Sequence, residues 1–326
     1  PYGSMASAVS ADPKDRAELS TWRTIGSTLA NMVIGVATPM VAYVVVDGKT
    51  VMSGSRMTII AGVFSICAIL CYIVCFKLTR ERVEVPASSQ KVSASAIFKS
   101  IFTNRALLGI IVAAIFVLLS QLTVMSLAGY VYPNVYGSAA AQSTASLLGT
   151  VVMLIVCAPF ASKLAAKFGK KELAVASSIC SALVWLVCLI WRPASVWGFV
   201  ACYILANIGM GFFNTIIWAM ITDVIDDAEV RSGIREDGTI YSVYSFARKL
   251  GQAFSSGLVG ALLGIIGYTE ATAFDPAVTR GIFNMACIAP IIGFVCIVLA
   301  LVFLYPLNKK KVEENVAALA ARRNSK

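Results

Sequence analysis

Eight long apolar segments constrain this chain more than any other feature of its sequence. Their approximate bounds are residues 22–46, 56–78, 105–131, 141–166, 172–191, 196–222, 239–267 and 281–305. Each approaches or exceeds the roughly 20 residues that a helix needs to cross a bilayer. Only 13% of the residues are charged, whereas soluble domains carry about 25%. We therefore predict an all-α, multi-pass membrane protein whose partner is the lipid bilayer.

The basic residues predict how these helices are oriented. The loops at 12–23, 77–105, 163–171 and 223–238, with the tail from Lys309, hold 21 of the 27 Lys and Arg residues. The loops on the other side hold four. Since Lys and Arg are enriched in cytoplasmic loops, we expect a cell-membrane protein with a cytoplasmic C-terminus. Basic residues that are spread over short loops do not indicate a nucleic-acid partner.

The sequence lacks the residue groups that are typical of metal centres and catalytic sites. It contains no His, and its nine Cys all lie in apolar segments without a CxxC pair. Cys67, Cys71 and Cys75 share one helical face, but no His or carboxylate accompanies them, so helix packing is favoured over metal binding. We predict no metal, no cofactor and no enzymatic activity.

A polar stripe runs along the seventh apolar segment. Its members are spaced by 3, 4, 3 and 4 residues: Ser242, Ser245, Lys249, Gln252 and Ser256. This spacing places them on one face of a helix. Lys249 lies about 16 Å along that helix from Gly238, at a depth where a charge costs at least ~2.5–3.5 kcal/mol. We expect it to face a water-filled cavity, a carboxylate or a ligand, with a structural ion pair between helices as the alternative. Arg248 points about 100° away and could instead brace the bundle.

The preceding segment and the loop after it carry two further candidate groups. Asn214 and Trp218 lie one turn apart and indicate a polar cavity, while close helix packing accounts for the neighbouring glycines. Charged residues follow, among them Asp227, Glu229 and the four candidate gate residues Asp223, Asp226, Arg231 and Arg235. They are either a solvated loop or an ionic gate that opens during alternating access.

The number of segments on each side of the longest connection predicts the domain organisation. Two segments precede residues 79–104 and six follow, whereas many transporters consist of two six-helix halves. We expect residues 1–78 to be the remainder of an N-terminal bundle, comprising the end of a fourth helix and helices five and six. Residues 79–104 would form a cytoplasmic linker with a surface helix from Ser95 to Phe102, residues 105–308 a six-helix bundle, and residues 309–326 a cytoplasmic basic tail.

Four stretches resemble a known superfamily of transporters or one of its branches. The basic turn "KFGKK" at Lys167–Lys171 is similar to the loop signature of the major facilitator superfamily. The stretches "PYGSM" and "DPKDRAELSTWR" near the start, and "TDVIDDAEVRSGIREDGTIYSVYSFARKLGQA", resemble the glycoside–pentoside–hexuronide:cation symporters. This branch of the superfamily includes melibiose and glucuronide carriers. The resemblance implies two six-helix bundles that rock around a central cavity, with about 8 of the expected 12 helices in this chain.

The resemblance also assigns roles to individual residues. Lys249 is similar to the lysine that links the family's cation and sugar sites, and Ser245 to its neighbouring hydroxyl. Tyr244 and Arg23 correspond to sugar-contacting positions, and Asn214 falls near an aromatic residue that lines the sugar site. With the polar-stripe and cavity residues, the expected substrate-binding set is Arg23, Asn214, Trp218, Tyr244, Ser245, Lys249 and Gln252.

The function that follows is symport of a sugar or glycoside coupled to Na⁺ or H⁺. The family's cation-binding carboxylates lie on helices that would precede Pro1, so we expect the chain to lack the coupling site. The alternative, from another functional class, is a non-transporting membrane fragment or sensor derived from such a carrier.

Overall fold

Almost every residue of the described structure is helical, as the apolar segments predict. The computed structural model describes residues 13–46, 49–79, 104–232 and 237–324, and these ranges contain ten α-helices. The helices are α1 (Pro13–Ala42), α2 (Gly54–Leu78), α3 (Arg105–Tyr130), α4 (Ala139–Val152), α5 (Ala158–Phe168), α6 (Lys170–Trp191), α7 (Val196–Ser232), α8 (Asp237–Ile265), α9 (Pro276–Leu299) and α10 (Lys309–Asn324). Strands β1 (Tyr43–Val46) and β2 (Lys49–Met52) form an antiparallel hairpin.

Seven stretches in the described ranges are long and apolar enough to cross a membrane. They are Ile25–Ala42, Gly54–Leu78, Arg105–Val135, Ala139–Cys157, Lys170–Trp191, Val196–Ser232 and Pro276–Leu304. The eighth predicted segment, 239–267, forms α8, which is also long enough to span. Its Ser, Gln, Arg and Lys residues lower its hydropathy below that of the other seven. A helix with this composition is suited to line a polar cavity on one side rather than to face lipid on all sides.

With α4 and α5 counted as one continuous helical segment, helices α3 to α9 alternate in direction and form one helical bundle. We name the end that holds Lys170, Arg231 and α10 the basic end. Arg105, at the start of α3, donates to the carbonyl of Phe303 there at 2.6 Å. At the opposite end, the Tyr136 hydroxyl donates to the carbonyl of Pro193 at 3.0 Å.

Glycines allow the closest helix contacts in this bundle. A Cβ at Gly251 of α8 would lie 2.9 Å from the carbonyl oxygen of Ile115 in α3. A Cβ at Gly209 of α7 would collide with the carbonyl oxygen of Ser177 in α6. The backbones of α8 and α3 therefore touch, and this contact fixes which face of α8 turns into the bundle.

The first predicted segment differs from the observed structure at both ends. The helix begins at Pro13 instead of near residue 22, and it ends at Ala42 instead of near residue 46. The β-branched residues that follow form the β1–β2 hairpin, because they favour extended backbone on both sides of the Asp-Gly pair. The hydroxyls of Tyr43 and Thr50 donate to the carbonyls of Gly129 (2.7 Å) and Gly137 (2.8 Å), which ties the hairpin to the end of α3.

The fourth predicted segment, 141–166, is helical but not uniform. A π-helical turn at Met153–Cys157 joins α4 to α5 just before Pro159. A second π-helical turn, Val131–Val135, contains Pro133 at the end of α3. Because proline lacks a backbone N–H and crowds the preceding turn, these wide turns keep the chain helical through both positions.

Two regions that were expected to be loop or tail are helical. Residues 223–232 of the predicted gate loop continue α7 without a break, and the tail from Lys309 forms α10. The predicted linker from residue 80 onward, with its surface helix from Ser95 to Phe102, lies outside the described residues, as does Arg235. None of the residues of α2 is buried, so its apolar surface is available to lipid or to other helices.

Candidate functional site

The two faces of α8 differ in chemistry and in surroundings. Ile240, Val243, Ala247, Gly251 and Ser255 are buried. The predicted polar stripe turns outward: Ser242, Ser245, Lys249 and Ser256 are exposed, and Gln252 is partly buried. The Lys249 ammonium donates to the side-chain oxygen of Gln252 at 3.2 Å. Lys249 therefore faces the outside of the described bundle, in the middle of a helix that is long enough to span.

Arg248, the residue before Lys249, contacts two aromatic rings. Its guanidinium carbon lies 5.5 Å from the centre of the Trp218 ring and 5.8 Å from that of Tyr244. The two rings meet edge to face, with centroids 5.4 Å apart, and Arg248 Nη1 donates to the Tyr244 hydroxyl at 3.3 Å. We call these three residues the arginine–aromatic cluster.

The two rings of this cluster have different exposure. Tyr244 is fully buried, whereas 47% of the Trp218 surface is exposed. Tyr244 therefore anchors the arginine from inside the bundle, and Trp218 presents an indole at the bundle surface.

A pair of amides extends the polar surface towards the opposite end. Asn214 lies one turn before Trp218 on α7, and its side-chain nitrogen donates to the side-chain oxygen of Gln121 on α3 at 3.4 Å. Both side chains are partly buried. Together with the cluster, they line one side of the bundle with amide, indole and guanidinium groups.

Most of the residues predicted to bind substrate are therefore close to one another. The rings of Trp218 on α7 and Tyr244 on α8 are in contact, and Asn214 lies one turn from Trp218. The adjacent face of α8 carries Ser245, Lys249 and Gln252. Arg23 lies in α1, and its side chain is outside the described part of the structure.

Sequence reasoning missed one member of this group and left a second open. Gln121 is a single amide within an apolar segment, and a search for isolated polar residues inside the predicted spans would have found it. Arg248 was recognised as a cation with two possible roles, but its contact with Trp218 depends on the packing of α7 against α8.

Two of the predicted gate residues, Asp223 and Arg231, form ion pairs in a network at the basic end. Asp223 accepts from Lys170 at 2.6 Å and is only 6% exposed. Asp227, one turn further along α7, lies 2.9 Å from Arg231 Nε and accepts from Asn315 of α10 at 3.0 Å. The carboxylates of Asp223 and Asp227 are both buried. Their partners on α6 and α10 connect these two helices to α7. Asp226 is partly buried beside them.

Tyr305 packs under this network. Burial raises the pKa of its hydroxyl well above the usual value, and the carboxylates of Asp223 and Asp227 add to the effect. The hydroxyl therefore stays protonated and donates to the carbonyl of Met220 at 3.3 Å.

A cavity of about 790 Å³ lies at the opposite end, away from these charges. Its lining includes Tyr43, Tyr130, Asn134, Tyr268 and Glu270. None of its lining residues belongs to the face of α8 that carries Lys249. The charged and aromatic groups of α7 and α8 thus form a candidate site that is separate from this cavity.

The described residues provide no cluster of three His, Cys, Asp or Glu side chains that could hold a metal ion. Cys67 and Cys71 are exposed on α2 and Cys75 is partly buried.

Comparison with known proteins agrees with the helical membrane fold. The family model described as MFS/sugar transport protein matches residues 1–309. The uncharacterized symporter YjmB of Bacillus subtilis is 30% identical over 316 residues, which is 95% of this chain and 66% of that protein. The glucuronide carrier protein homolog of Escherichia coli is 27% identical over 332 residues, 99% of this chain and 69% of that protein.

A further relative is the isoprimeverose transporter of Lactiplantibacillus pentosus, which is 24% identical over 333 residues, 98% of this chain and 68% of that protein. The chain thus spans about two thirds of the length of these relatives. The family model covers nearly all of the chain, including every spanning helix and the arginine–aromatic cluster. The chain therefore belongs to the MFS sugar-transport family.

Proposed function

We propose that the protein transports a sugar or glycoside together with Na⁺ or H⁺ by alternating access. The observation that carries this proposal is the outward polar face of α8, where Lys249 lies beside the arginine–aromatic cluster in the middle of a spanning helix. A sugar carrier and a symporter among the relatives support both parts of the proposal.

The groups next to Lys249 have the chemistry that a sugar needs. An exposed indole such as Trp218 packs against the apolar face of a sugar ring, while amides and hydroxyls exchange hydrogen bonds with its hydroxyl groups. The hydrogen bonds of Asn214 to Gln121 (3.4 Å) and of Lys249 to Gln252 (3.2 Å) are long. Such bonds cost little to replace by bonds to substrate.

Lys249 provides a means of coupling the sugar to a cation. A charge at this depth needs a partner, and no carboxylate in the described ranges pairs with Lys249. We infer that carboxylates outside those ranges hold the ammonium when no cation is bound. A cation that occupies these carboxylates would release Lys249 towards the sugar, so that each ligand favours the binding of the other.

The basic-end network acts as the gate in this proposal. Asp223 and Asp227 hold α6, α7 and α10 together when the basic end is closed. Opening that end for release of the substrate requires these charged hydrogen bonds to loosen or rearrange. Arg231, which is half exposed beside Asp227, is placed to move first.

The test is uptake into proteoliposomes that contain the protein expressed from its complete gene. A panel of labelled glycosides is offered while the sodium and proton gradients are varied separately. We expect a gradient of one of the two ions to drive accumulation of at least one sugar. An absence of uptake with every sugar and either gradient would favour a non-transporting membrane protein.

Lys249→Leu tests the coupling residue. We expect this variant to lose cation-driven accumulation, because the charge that links the two sites is removed. Lys249→Arg keeps the positive charge but replaces the compact ammonium by a planar guanidinium, so this variant should retain part of the activity. Lys310→Leu, which removes an exposed lysine of α10, serves as the matched control and should transport normally. Unchanged accumulation by Lys249→Leu would refute the coupling role.

A further inference from the structure

The cavity of about 790 Å³ at the end opposite the basic end differs in chemistry from the site on α7 and α8. Its volume is typical of pockets that hold small ligands. Rings and oxygens reach its lining from Tyr43, Tyr130, Asn134, Tyr268 and Glu270, and we call it the tyrosine cavity. The described part of the lining contains no Lys or Arg. The cavity therefore offers hydrogen-bond acceptors and a negative charge to a ligand.

Three tyrosines meet on one side of the tyrosine cavity. The rings of Tyr130 and Tyr268 are in edge-to-face contact, with centroids 5.0 Å apart. The Tyr43 hydroxyl donates to the carbonyl of Gly129, the residue before Tyr130, at 2.7 Å. Burial raises the pKa of Tyr43 to about 12, and the phenols of Tyr130 and Tyr268 add to the effect. Tyr43 therefore stays neutral, and the aromatic rings and phenol oxygens together attract a cation.

Asn134 and Glu270 add further acceptors. The Asn134 side-chain nitrogen donates to the Tyr268 hydroxyl at 3.5 Å, which leaves its side-chain oxygen for another partner. Glu270 is exposed in the loop between α8 and α9, and it pairs with no Lys or Arg of the described ranges. A primary ammonium has three N–H donors and one positive charge. It therefore suits this group of a carboxylate, an amide oxygen and phenol oxygens better than a neutral hydroxyl does.

The wall that α2 contributes to the tyrosine cavity lies inside a spanning helix. Gly54, Met57, Thr58 and Ala61 line it, so one face of α2 follows the cavity for about 10 Å. The Thr58 hydroxyl donates to the carbonyl of Gly54 at 2.9 Å, within its own helix, which leaves a mainly apolar wall. Since Gly54–Leu78 is long and apolar enough to cross a membrane, this wall reaches the depth of lipid chains. The ligand that matches both parts is an amphiphile with a cationic head.

We propose that the tyrosine cavity binds an aminophospholipid of the surrounding membrane. The primary ammonium of the headgroup lies between Glu270 and the three tyrosines, and the chains follow the apolar face of α2. A lipid without an amine offers Glu270 nothing to attract, so the site selects for the headgroup. Because the cavity is separate from the candidate sugar site, the lipid is a further ligand and not the transported substrate.

The experiment is native mass spectrometry of the complete protein in detergent, titrated with lipids that have identical acyl chains. Phosphatidylethanolamine is compared with its N-methyl and N,N-dimethyl derivatives, with phosphatidylcholine and with phosphatidylglycerol. Each methyl group removes one N–H donor and keeps the charge. We expect the Kd of phosphatidylethanolamine to be about 10-fold lower than that of phosphatidylcholine or phosphatidylglycerol, with the two derivatives between them.

A further arm distinguishes a lipid from a soluble amine. Glycerophosphoethanolamine has the same headgroup without acyl chains. It should displace phosphatidylethanolamine only at a concentration about 100-fold higher than the lipid requires, because it lacks the chains that pack against α2.

Glu270→Gln should remove the preference for the amine, because an amide keeps the shape of the carboxylate and loses its charge. Asp275→Asn is the matched control: Asp275 is an exposed carboxylate in the same loop that does not line the cavity, and its variant should keep the preference. Tyr268→Leu, which removes one ring and its phenol, should raise the Kd of phosphatidylethanolamine by about threefold. Equal melting temperatures of the variants and the parent in detergent show that all of them are folded.

Three results would overturn the inference. The amine lipid could bind no more tightly than the choline and glycerol lipids, or Glu270→Gln could keep the full preference for it. Glycerophosphoethanolamine could also bind as tightly as the lipid, which would indicate a site for soluble amines. The uptake experiment tests the proposed sugar transport separately, so a failure here leaves that proposal intact.

Discussion

Arg248 and Lys249 show how far neighbouring residues on one helix can differ. Their side chains point about 100° apart, so Arg248 turns towards α7 and meets Trp218, while Lys249 stays on the outward face and reaches Gln252. The sequence predicts this angle from helical geometry alone. The aromatic partner of Arg248 could not be predicted, since Trp218 lies on a different helix and the crossing of α7 and α8 decides the contact.

Tyr244→Phe tests how firmly Arg248 is held. The variant keeps the buried ring and removes only the hydroxyl that accepts from Arg248 at 3.3 Å. A typical hydrogen bond contributes about 0.5–1.5 kcal/mol, so loosening Arg248 at the proposed sugar site should raise KM for the transported sugar by about two- to tenfold with kcat unchanged. Uptake kinetics in proteoliposomes measure both constants. Tyr241→Phe, which alters an exposed tyrosine on the same helix, should have no effect; a similar loss there would argue against a specific hold on Arg248.

At the scale of elements, the sequence predicts helices better than it predicts where they end. The polar stripe of α8 is predicted correctly because its period of 3 and 4 residues is that of an α-helix. Hydropathy does not predict the hairpin after Ala42, because the run of valines there is as apolar as the end of a spanning helix; the Asp-Gly pair is the signal that predicts a turn. The series of charged residues after residue 222 predicts a loop, whereas α7 extends to Ser232, because Asp, Ala and Glu are compatible with a helix.

Two glycines of α8 provide a matched test of its packing. At Gly251 a Cβ would lie 2.9 Å from the Ile115 carbonyl oxygen, whereas at Gly257 nothing lies within 4 Å. Gly251→Ala should therefore destabilise the protein by about 1–3 kcal/mol, because α8 has to move away from α3. Gly257→Ala should be neutral or stabilising by up to about 1 kcal/mol, because alanine favours helix more than glycine does.

Thermal unfolding in detergent distinguishes the two variants. The melting temperature of Gly251→Ala should fall by several degrees, and that of Gly257→Ala should stay the same or rise. Equal shifts in both variants would mean that α8 does not touch α3 at Gly251.

For the whole molecule, the apolar surface indicates a membrane environment, and the Lys and Arg residues of the basic end predict how the protein is oriented in that membrane. Helix α2 has none of its residues buried, and such a surface requires lipid or protein around it. The basic end holds α10 and the starts of α3 and α6, which carry Lys and Arg at positions that favour the cytoplasm. The membrane environment could be predicted from composition, whereas the docking of α10 depends on Asn315 reaching the buried Asp227, a contact between residues far apart in sequence.

Epitope tags test this orientation in intact cells. A tag after Lys326 should bind antibody only after the cells are permeabilised, because we expect the basic end to be cytoplasmic. A tag inserted beside Glu270, in the exposed loop between α8 and α9, should bind antibody without permeabilisation. The reverse pattern would show that the protein has the opposite topology.

The uninterrupted course of α7 has a mechanical consequence. At 37 residues, α7 is about 55 Å long, well beyond the roughly 30 Å of the hydrocarbon core. Trp218 at the proposed sugar site and Asp227 at the basic end thus lie on one continuous helix, about 13 Å apart. A tilt of about 10° around Trp218 would displace Asp227 by about 2 Å, enough to break its hydrogen bond with Asn315. A substrate that shifts the Trp218 indole would therefore tilt α7 and weaken the contact between Asp227 and Asn315 at the basic end.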